Sequence, residues 1–160
     1  MKFALAAEQI LEALPIRPKT SQTYNSVYRR YIYPALHEYE LAEIKRDHIQ
    51  NLIKTLPPQT GATTLAVLKT IFRESIDNGY CEHSPAATVR RPKLQVIPRN
   101  FLTLQEITTL ELPKFRTQII FLAMHGLRWA EALALTEEDI YNNRVHVTKS
   151  MHGPVKSRAG

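Results

Sequence analysis

Residues 125–139 read HGLRWAEALALTEED, and the order of residue types in this stretch decides the fold. The apolar residues before it predict a helix that ends at His125. Gly126 can close that helix, because glycine adopts the left-handed backbone of a C-cap at little cost. Arg128 then leads into a second helical segment over residues 129–135. The stretch therefore predicts two helices joined by a Gly-Leu-Arg turn.

Downstream of this turn the hydrophobic pattern changes from a helical to an extended period. Residues 144–148 (RVHVT) alternate polar and apolar, as in a strand with one buried face. Gly153 and Pro154 are expected to turn the chain, so that Val155 to Arg158 could begin a second strand. The pattern predicts a β-hairpin after the helices.

Upstream, four amphipathic helices are predicted. Their apolar residues recur at helical spacing: Phe3, Ile10, Leu11 and Leu14; Tyr24, Val27, Tyr28 and Tyr31; Ile49, Leu52, Ile53 and Leu56; Leu65, Leu68, Phe72 and Ile76. The second helix is expected to begin at a capping Thr20 or Ser21 and to end before Pro34, since proline removes a helix hydrogen bond. Ser84 followed by Pro85 predicts one further short helix.

A basic segment containing two prolines separates these helices from the rest of the chain. Residues Val89 to Asn100 read VRRPKLQVIPRN and include no acidic residue, a composition typical of a linker. Thr103 and Glu106 follow with the spacing of a capping box, which marks a new helix start. The chain is therefore divided into a helical domain (1–88), a basic linker (89–100) and a second unit (101–160).

Composition excludes several classes of protein. Hydrophobic residues make up 44% of the chain, enough for a packed core. No apolar stretch approaches the roughly 18 residues of a membrane span, so a cytoplasmic protein without membrane contact is expected. Cys81 is the single cysteine and builds no disulfide framework or zinc site, and neither a metal nor a cofactor is expected. The formal charge of +6 favours a polyanionic partner.

The stretch from His125 through the Arg144–Lys149 strand resembles the first catalytic box of tyrosine recombinases, the phage integrase family. The Gly-Leu-Arg turn, the acidic residue three positions later, the leucine-rich helix and the Asp-Ile step carry the resemblance. The upstream helices, with Asn78-Gly79-Tyr80 and the RRPK segment, are similar to that family's core-binding domain. The resemblance implies a mainly α fold: a four-helix, SAM-like core-binding bundle followed by a truncated α+β catalytic domain with a β-hairpin.

The resemblance also implies roles for individual residues. Arg128 corresponds to the first catalytic arginine and Glu131 to the acidic residue that supports it. A bidentate guanidinium suits the charge that grows on phosphate oxygens during strand exchange. The hairpin lysine, which would protonate the leaving 5′ oxygen, is assigned to Lys156 in PVKSRAG, with Lys149 as the alternative.

Residues 125–128 also spell HxxR, the form of the family's second catalytic box. A His-Thr run would follow that box, whereas Trp129 follows here, so the first box is assigned. The second arginine, its histidine partners and the nucleophilic tyrosine are expected beyond Gly160. We therefore expect this chain to be part of a recombinase and to be inactive alone.

Double-stranded DNA at an attachment site is the partner that the resemblance implies, together with other protomers, as a tetramer in the full protein. The residues predicted to contact DNA are basic: Lys19, Arg29, Arg30, Lys69, Arg73, Arg90, Arg91 and Lys93. A non-catalytic helical DNA-binding regulator is the alternative function, since it would explain the charge and the linker. A helical protein-interaction module would explain the apolar stripes alone.

Overall fold

The computed structural model describes residues 1–94, 98, 100–111, 114–151 and 153–154. The chain folds into two compact units, Met1–Val96 and Ile97–Gly160. The division lies inside the segment that the sequence predicts as a linker. Each unit is described here by itself.

The first unit is a bundle of four helices, in agreement with the mainly α prediction. The elements are α1 (Phe3–Ala13), α2 (Pro18–Val27), a π-helical segment (Tyr28–Ile32), α3 (Tyr33–Leu36), α4 (Arg46–Lys54) and α5 (Pro58–Asp77), with a 3-10 turn at Leu41–Glu43. The second helix of the bundle is α2, the π segment and α3 in continuous succession. Gly79, with φ of +73°, follows α5 at the predicted C-cap.

The core of the first unit is built on α5, whose buried residues face α1, α2 and α4. The rings of Phe3 and Phe72 are fully buried, with centroids 5.8 Å apart. Ile49 brings α4 into the same core. Val89, the first residue of the predicted linker, is also buried in it. The first unit therefore extends at least one residue into the basic segment.

Prolines begin helices in this unit, which corrects one sequence-based expectation. The second helix begins at Pro18 and not after Thr20 or Ser21, and no side chain caps it. The long helix α5 likewise begins at Pro58. Proline suits the first helical position because its missing N–H is one that would have no helical partner there. At these two places proline marks the start of a helix, although the sequence-based prediction takes proline as the end of one.

Pro34 does not end the second helix, and the expectation that it would is wrong. The backbone instead widens into a π turn over Tyr28–Ile32, in which the Tyr33 N–H donates to the Tyr28 carbonyl. Helical structure then continues through Pro34 to Leu36. Proline in a helix clashes with the carbonyl four residues earlier, and a wider turn relieves that clash. The segment therefore accommodates the proline without breaking the bundle.

The predicted short helix at Ser84–Pro85 is replaced by hydrogen-bonded turns. The Ala87 N–H donates to the Ser84 carbonyl at 3.2 Å, and no regular helix follows in residues 85–94. Ala86 is nevertheless fully buried. A turn suffices here because the segment needs to place only one small residue in the core before the chain leaves the bundle.

The second unit contains short helices and two hairpins. Its helices are α6 (Leu104–Thr109), α7 (Arg116–His125) and α8 (Trp129–Ala132), followed by a 3-10 turn at Glu137–Asp139. The predicted Gly-Leu-Arg turn is present, and Gly126 ends α7 with φ of +65°. Helix α8 is shorter than the predicted 129–135. None of the helices in the described ranges has the length and apolar composition needed to cross a membrane.

Two two-stranded antiparallel hairpins follow, where one was predicted. Strand β1 (Ile140–Tyr141) pairs with β2 (Arg144–Val145), and Asn142 and Asn143 at the turn both have positive φ. Strand β3 (Lys149–Ser150) pairs with β4 (Gly153–Pro154), so Gly153 and Pro154 form a strand and not the expected turn. The second strand predicted at Val155 to Arg158 lies outside the described residues.

The contact between Phe3 and Phe72 leads to a test of the first unit. Phe72→Ala should lower the free energy of unfolding by about 3–5 kcal/mol, because it removes a fully buried ring from a packed core. Ile76→Ala, on the same helix but 36% exposed, should cost about 1 kcal/mol or less. Urea unfolding followed by far-ultraviolet circular dichroism measures both. Equal losses for the two variants would contradict the packing described here.

Candidate active site and nucleic-acid interface

Arg128 and Glu131 form a closed unit at the start of α8. One Glu131 carboxylate oxygen accepts the Arg128 backbone N–H at 2.9 Å, and the other accepts the Arg128 guanidinium at 2.8 Å. The Glu131 side chain is 11% exposed, whereas that of Arg128 is 85% exposed. Glu131 therefore holds the backbone N–H and one guanidinium nitrogen of Arg128, while most of the Arg128 side chain faces solvent.

The hydrogen bonds to Glu131 also determine its ionisation. The backbone N–H of Arg128 contributes most, followed by the guanidinium, and together they lower the pKa of the Glu131 carboxyl. The carboxylate is thus charged over the physiological range. The charged side chains of Glu131 and Arg128 neutralise each other.

A second carboxylate, that of Asp139, holds Lys149 in a similar way. One oxygen of Asp139, Oδ2, accepts the Thr136 backbone N–H at 2.8 Å and the Thr136 hydroxyl at 2.8 Å. The same oxygen lies 3.0 Å from the Lys149 ammonium, which also donates to the Thr136 hydroxyl oxygen at 3.3 Å. Thr136, Asp139 and Lys149 therefore form a closed network of hydrogen bonds.

These contacts lower the pKa of Asp139 to about 2. The Thr136 backbone N–H is the largest cause, and the Lys149 ammonium is the second. The aspartate is therefore ionised at any pH at which DNA is stable. Because the folded-state pKa lies below the ordinary value, ionised Asp139 stabilises the fold above about pH 4, and that contribution disappears as the pH falls through 2.

Strand β3, which carries Lys149, is tied to helix α8. The Met151 backbone N–H donates to the Ala130 carbonyl at 2.9 Å. This hydrogen bond joins the second hairpin to α8, the helix that directly follows Arg128. Lys156, the lysine that the sequence analysis favours, lies outside the described residues.

The eight basic residues predicted to contact DNA are exposed and belong to the first unit. They are Lys19, Arg29, Arg30, Lys69, Arg73, Arg90, Arg91 and Lys93. Lys69 and Arg73 lie four residues apart on α5 and share its exposed face. Contact between these residues and DNA stays a prediction.

Two of these arginines have neighbours that affect how they can bind. The Arg30 guanidinium lies 5.5 Å from the centre of the Tyr31 ring, within cation–π range. Arg73 is paired with Glu74 at 2.7 Å, and this hydrogen bond is the main cause that raises the pKa of Arg73. An approaching phosphate would meet Arg30 as a cation without an acidic partner in the described contacts, whereas Arg73 would have to be shared with Glu74.

The first unit also contains a segment that matches a known family model. Residues 13–56, from the end of α1 to just before α5, match the model of the phage integrase N-terminal SAM-like domain. This match supports the resemblance to the phage integrase family for that segment of the first unit. The resemblance to tyrosine recombinases noted in the sequence is thereby confirmed. Comparison with curated proteins gave no match.

Solved structures resemble this chain in fold. A solution NMR structure of a fragment from Clostridium leptum is 28% identical, with a TM-score of 0.52, over 62% of this chain and 95% of that chain. A lambda integrase fragment, crystallised as a dimer bound to a COC′ core site, is 22% identical with a TM-score of 0.78, over 91% of this chain and 54% of that one.

A longer lambda integrase, also a dimer bound to a COC′ core site, is 22% identical with a TM-score of 0.79. That match covers 94% of this chain and 45% of lambda integrase. At this level of identity the two lambda integrase structures show a shared fold. The chain spans about half the length of each lambda integrase chain.

Sequence reasoning gave Thr136 and Asp139 no role in the candidate site, although Asp139 is part of the Asp-Ile step that carries the resemblance. In the sequence they stand at the two ends of TEED, residues 136–139. The spacing Thr-x-x-Asp is that of a capping box, the same signal that located Thr103 and Glu106. Their link to Lys149, thirteen residues from Thr136, has no local signal and required the fold.

The three donors to Asp139 lead to a titration test. Lys149→Met should raise the pKa of Asp139 from about 2 only part of the way to its ordinary value, because the Thr136 backbone N–H remains and contributes most. Carboxyl carbon chemical shifts, followed by NMR through an acid titration of the 160-residue chain, measure the change.

Glu106 provides the matched control. Its carboxylate accepts the Thr103 backbone N–H at 2.7 Å in a box of the same kind, and Thr103 is also the main cause that lowers its pKa. Because no lysine takes part in that box, Lys149→Met should leave the Glu106 titration unchanged. If Lys149→Met leaves the titration midpoint of Asp139 unchanged, the ion pair between Asp139 and Lys149 does not form in solution.

Proposed function

We propose that this chain is the DNA-binding portion of a site-specific tyrosine recombinase and supplies part of its active site. The observation that carries the proposal is the Arg128–Glu131 pair: an exposed guanidinium, fixed by a largely buried carboxylate, in a chain that begins with a phage integrase SAM-like domain. Cutting and rejoining through a 3′-phosphotyrosine intermediate is proposed for the intact recombinase, which would act on DNA in the cytoplasm of a bacterial host.

Arg128 is proposed to stabilise the phosphate during strand cleavage. As the nucleophile approaches phosphorus, negative charge grows on the two non-bridging oxygens, and a planar guanidinium can bind both of them. In the contacts described, Glu131 uses one of the Arg128 nitrogens and leaves the outer edge of the group facing solvent. Glu131 is proposed to hold that edge in place.

A lysine is proposed to supply the proton that the leaving oxygen needs. In the cleavage step the tyrosine oxygen bonds to phosphorus and its proton passes to solvent. The bond from phosphorus to the 5′ oxygen breaks, and that oxygen takes a proton from the lysine ammonium. The hydrogen bond between Met151 and Ala130, which ties β3 to α8, supports Lys149 for this role. Lys156 remains the alternative.

The first unit is proposed to bind the duplex that flanks the cleavage site. Support comes from the eight exposed basic residues predicted to contact DNA and from the fold shared with lambda integrase, whose dimers were crystallised on a core site. By that likeness, a second protomer on the same DNA is proposed as a partner, and a tetramer is proposed for the complete recombination reaction.

A non-catalytic DNA-binding regulator is the second candidate. It shares the basic first unit but has no use for an exposed arginine fixed by a buried carboxylate. The two functions therefore differ in what happens when Arg128 is changed: DNA binding by a regulator should not require this residue, and no strand cleavage should be found.

The Arg128 assignment is tested in the intact recombinase on a nicked suicide duplex that traps the covalent intermediate. Arg128→Lys should reduce trapping roughly a hundred- to thousand-fold, because an ammonium cannot bind two phosphate oxygens as the planar guanidinium does. Duplex affinity, measured in parallel, should change little. Near-normal trapping would contradict the assignment.

Arg144→Lys is the matched control for that experiment. Arg144 is an exposed arginine on β2 in the same unit and is not placed in the proposed site. Its replacement should leave trapping close to the wild-type level. Trapping that falls equally in both variants would mean that the unit tolerates no arginine change, and the specific role of Arg128 would be lost.

The DNA-binding assignment is tested with the 160-residue chain. Replacing Arg90, Arg91 and Lys93 together by Ala should weaken duplex binding and flatten its dependence on salt. Each phosphate contact contributes about 0.9 to the slope of log affinity against log salt, so the slope should fall by roughly 2 to 3. Fluorescence anisotropy over a range of salt concentrations measures it.

A variant with Lys45, Arg46 and Lys54 replaced by Ala controls for net charge. These exposed residues flank and end α4, carry the same three charges, and are not predicted to contact DNA. Their loss should change the slope by less than one contact. If both triple variants flatten the slope equally, binding depends on overall charge and the basic segment is not the interface.

A further inference from the structure

The lysine of the proposed site has a partner whose role the family resemblance does not supply. The Lys149 side chain is 44% exposed, long and unbranched, and would sample many conformations if nothing held it. General-acid catalysis requires the donor within hydrogen-bond distance of the leaving oxygen. The contacts that restrict Lys149 are those to Asp139 and Thr136.

We propose that Asp139 is a positioning residue that, with Thr136, holds the Lys149 ammonium ready to protonate the leaving 5′ oxygen. The inference rests on the proposed function and on the choice of Lys149. Asp139 would do for the lysine what Glu131 does for Arg128: each carboxylate is anchored by the backbone N–H three residues earlier and holds a cation with the same group.

The geometry suits positioning because Asp139 is itself firmly held. Its side chain is 14% exposed, and its Oδ2 accepts both donors of Thr136. Its backbone carbonyl accepts the His146 N–H at 2.8 Å, which ties the same residue to the first hairpin. With two hydrogen bonds on its carboxylate and one on its backbone carbonyl, Asp139 gives a flexible lysine a single place to bind.

The pairing also leaves Lys149 able to act. An ammonium has three donors, and in the described part of the chain Asp139 and Thr136 use two of them. The third can point to the DNA. Glu137 and Glu138 are exposed on the same turn as Asp139. Positioning, as opposed to masking of the lysine, predicts that loss of Asp139 slows cleavage.

The experiment uses the intact recombinase and two suicide duplexes, which differ in one atom at the scissile phosphate. One carries the natural bridging 5′ oxygen, and the other carries sulfur. A sulfur leaving group needs no proton, because a thiol has a pKa of about 8.5, far below that of an alcohol. The sulfur duplex therefore bypasses the lysine and whatever positions it.

On the oxygen duplex, Asp139→Asn should cleave at least about tenfold more slowly than wild type, and Lys149→Ala more slowly still, within the roughly hundred- to ten-thousand-fold range of general-acid catalysis. On the sulfur duplex both variants should cleave within about threefold of wild type. The double variant should be no slower than Lys149→Ala. Glu138→Gln, on the same turn, should match wild type on both duplexes.

Several outcomes would overturn the inference. Asp139→Asn that stays slow on the sulfur duplex would show a structural role, and unchanged or faster cleavage of the oxygen duplex would exclude positioning. Additive losses in the double variant would separate Asp139 from Lys149. If Lys149→Ala is not slowed, the lysine assignment fails, and if the wild-type recombinase cleaves neither duplex, the proposed function itself fails.

Discussion

The first backbone N–H groups of a helical turn have no partner within that turn, and the second unit of this protein is organised around acidic side chains that accept them. Thr103 with Glu106, Arg128 with Glu131 and Thr136 with Asp139 repeat the same arrangement three residues apart. Short helices are otherwise unstable in water, because few hydrogen bonds offset the cost of fixing the chain. The capping carboxylates make these short elements persist.

The same carboxylates serve a second purpose in two of the three boxes. Once a backbone N–H has fixed the orientation of a carboxylate, the remaining lone pairs of its oxygens can bind a cation at a defined place. Glu131 does so for Arg128, and Asp139 for Lys149. In this unit the same carboxylates therefore cap short helices and hold charged groups in place. Among the residues that the structure describes, no cation is paired with Glu106, and the contacts of the first box are those of a cap.

Much of this architecture follows from the sequence, for reasons that differ between elements. Helices with a buried face, such as those around Phe3 and Phe72, were predicted because their spacing is local information. The Arg128 turn was found because Gly126 marks a helix end. The Asn142–Asn143 hairpin was missed, although two asparagines tolerate positive φ and favour a tight turn. The contact between Asp139 and Lys149 depends on the path of the hairpin and had no sequence signal.

The π turn at Tyr28–Ile32 shows another limit of periodicity. A regular stripe that begins at Tyr24 would bury residue 35, yet Ala35 is exposed, while Ile32 and Leu36 are buried. The wider turn rotates everything after it by one residue, which is about 100° of helix.

The second helix of the bundle therefore contains one residue more than a regular α-helix of the same length. The π turn accommodates this extra residue. A deletion of one residue within residues 29–31 would restore α-helical phase and would keep Leu36 on the buried face, because Leu36 would then take the place of residue 35. The residues that face the core are thus the same with the extra residue in a π turn as they would be without it in a regular α-helix.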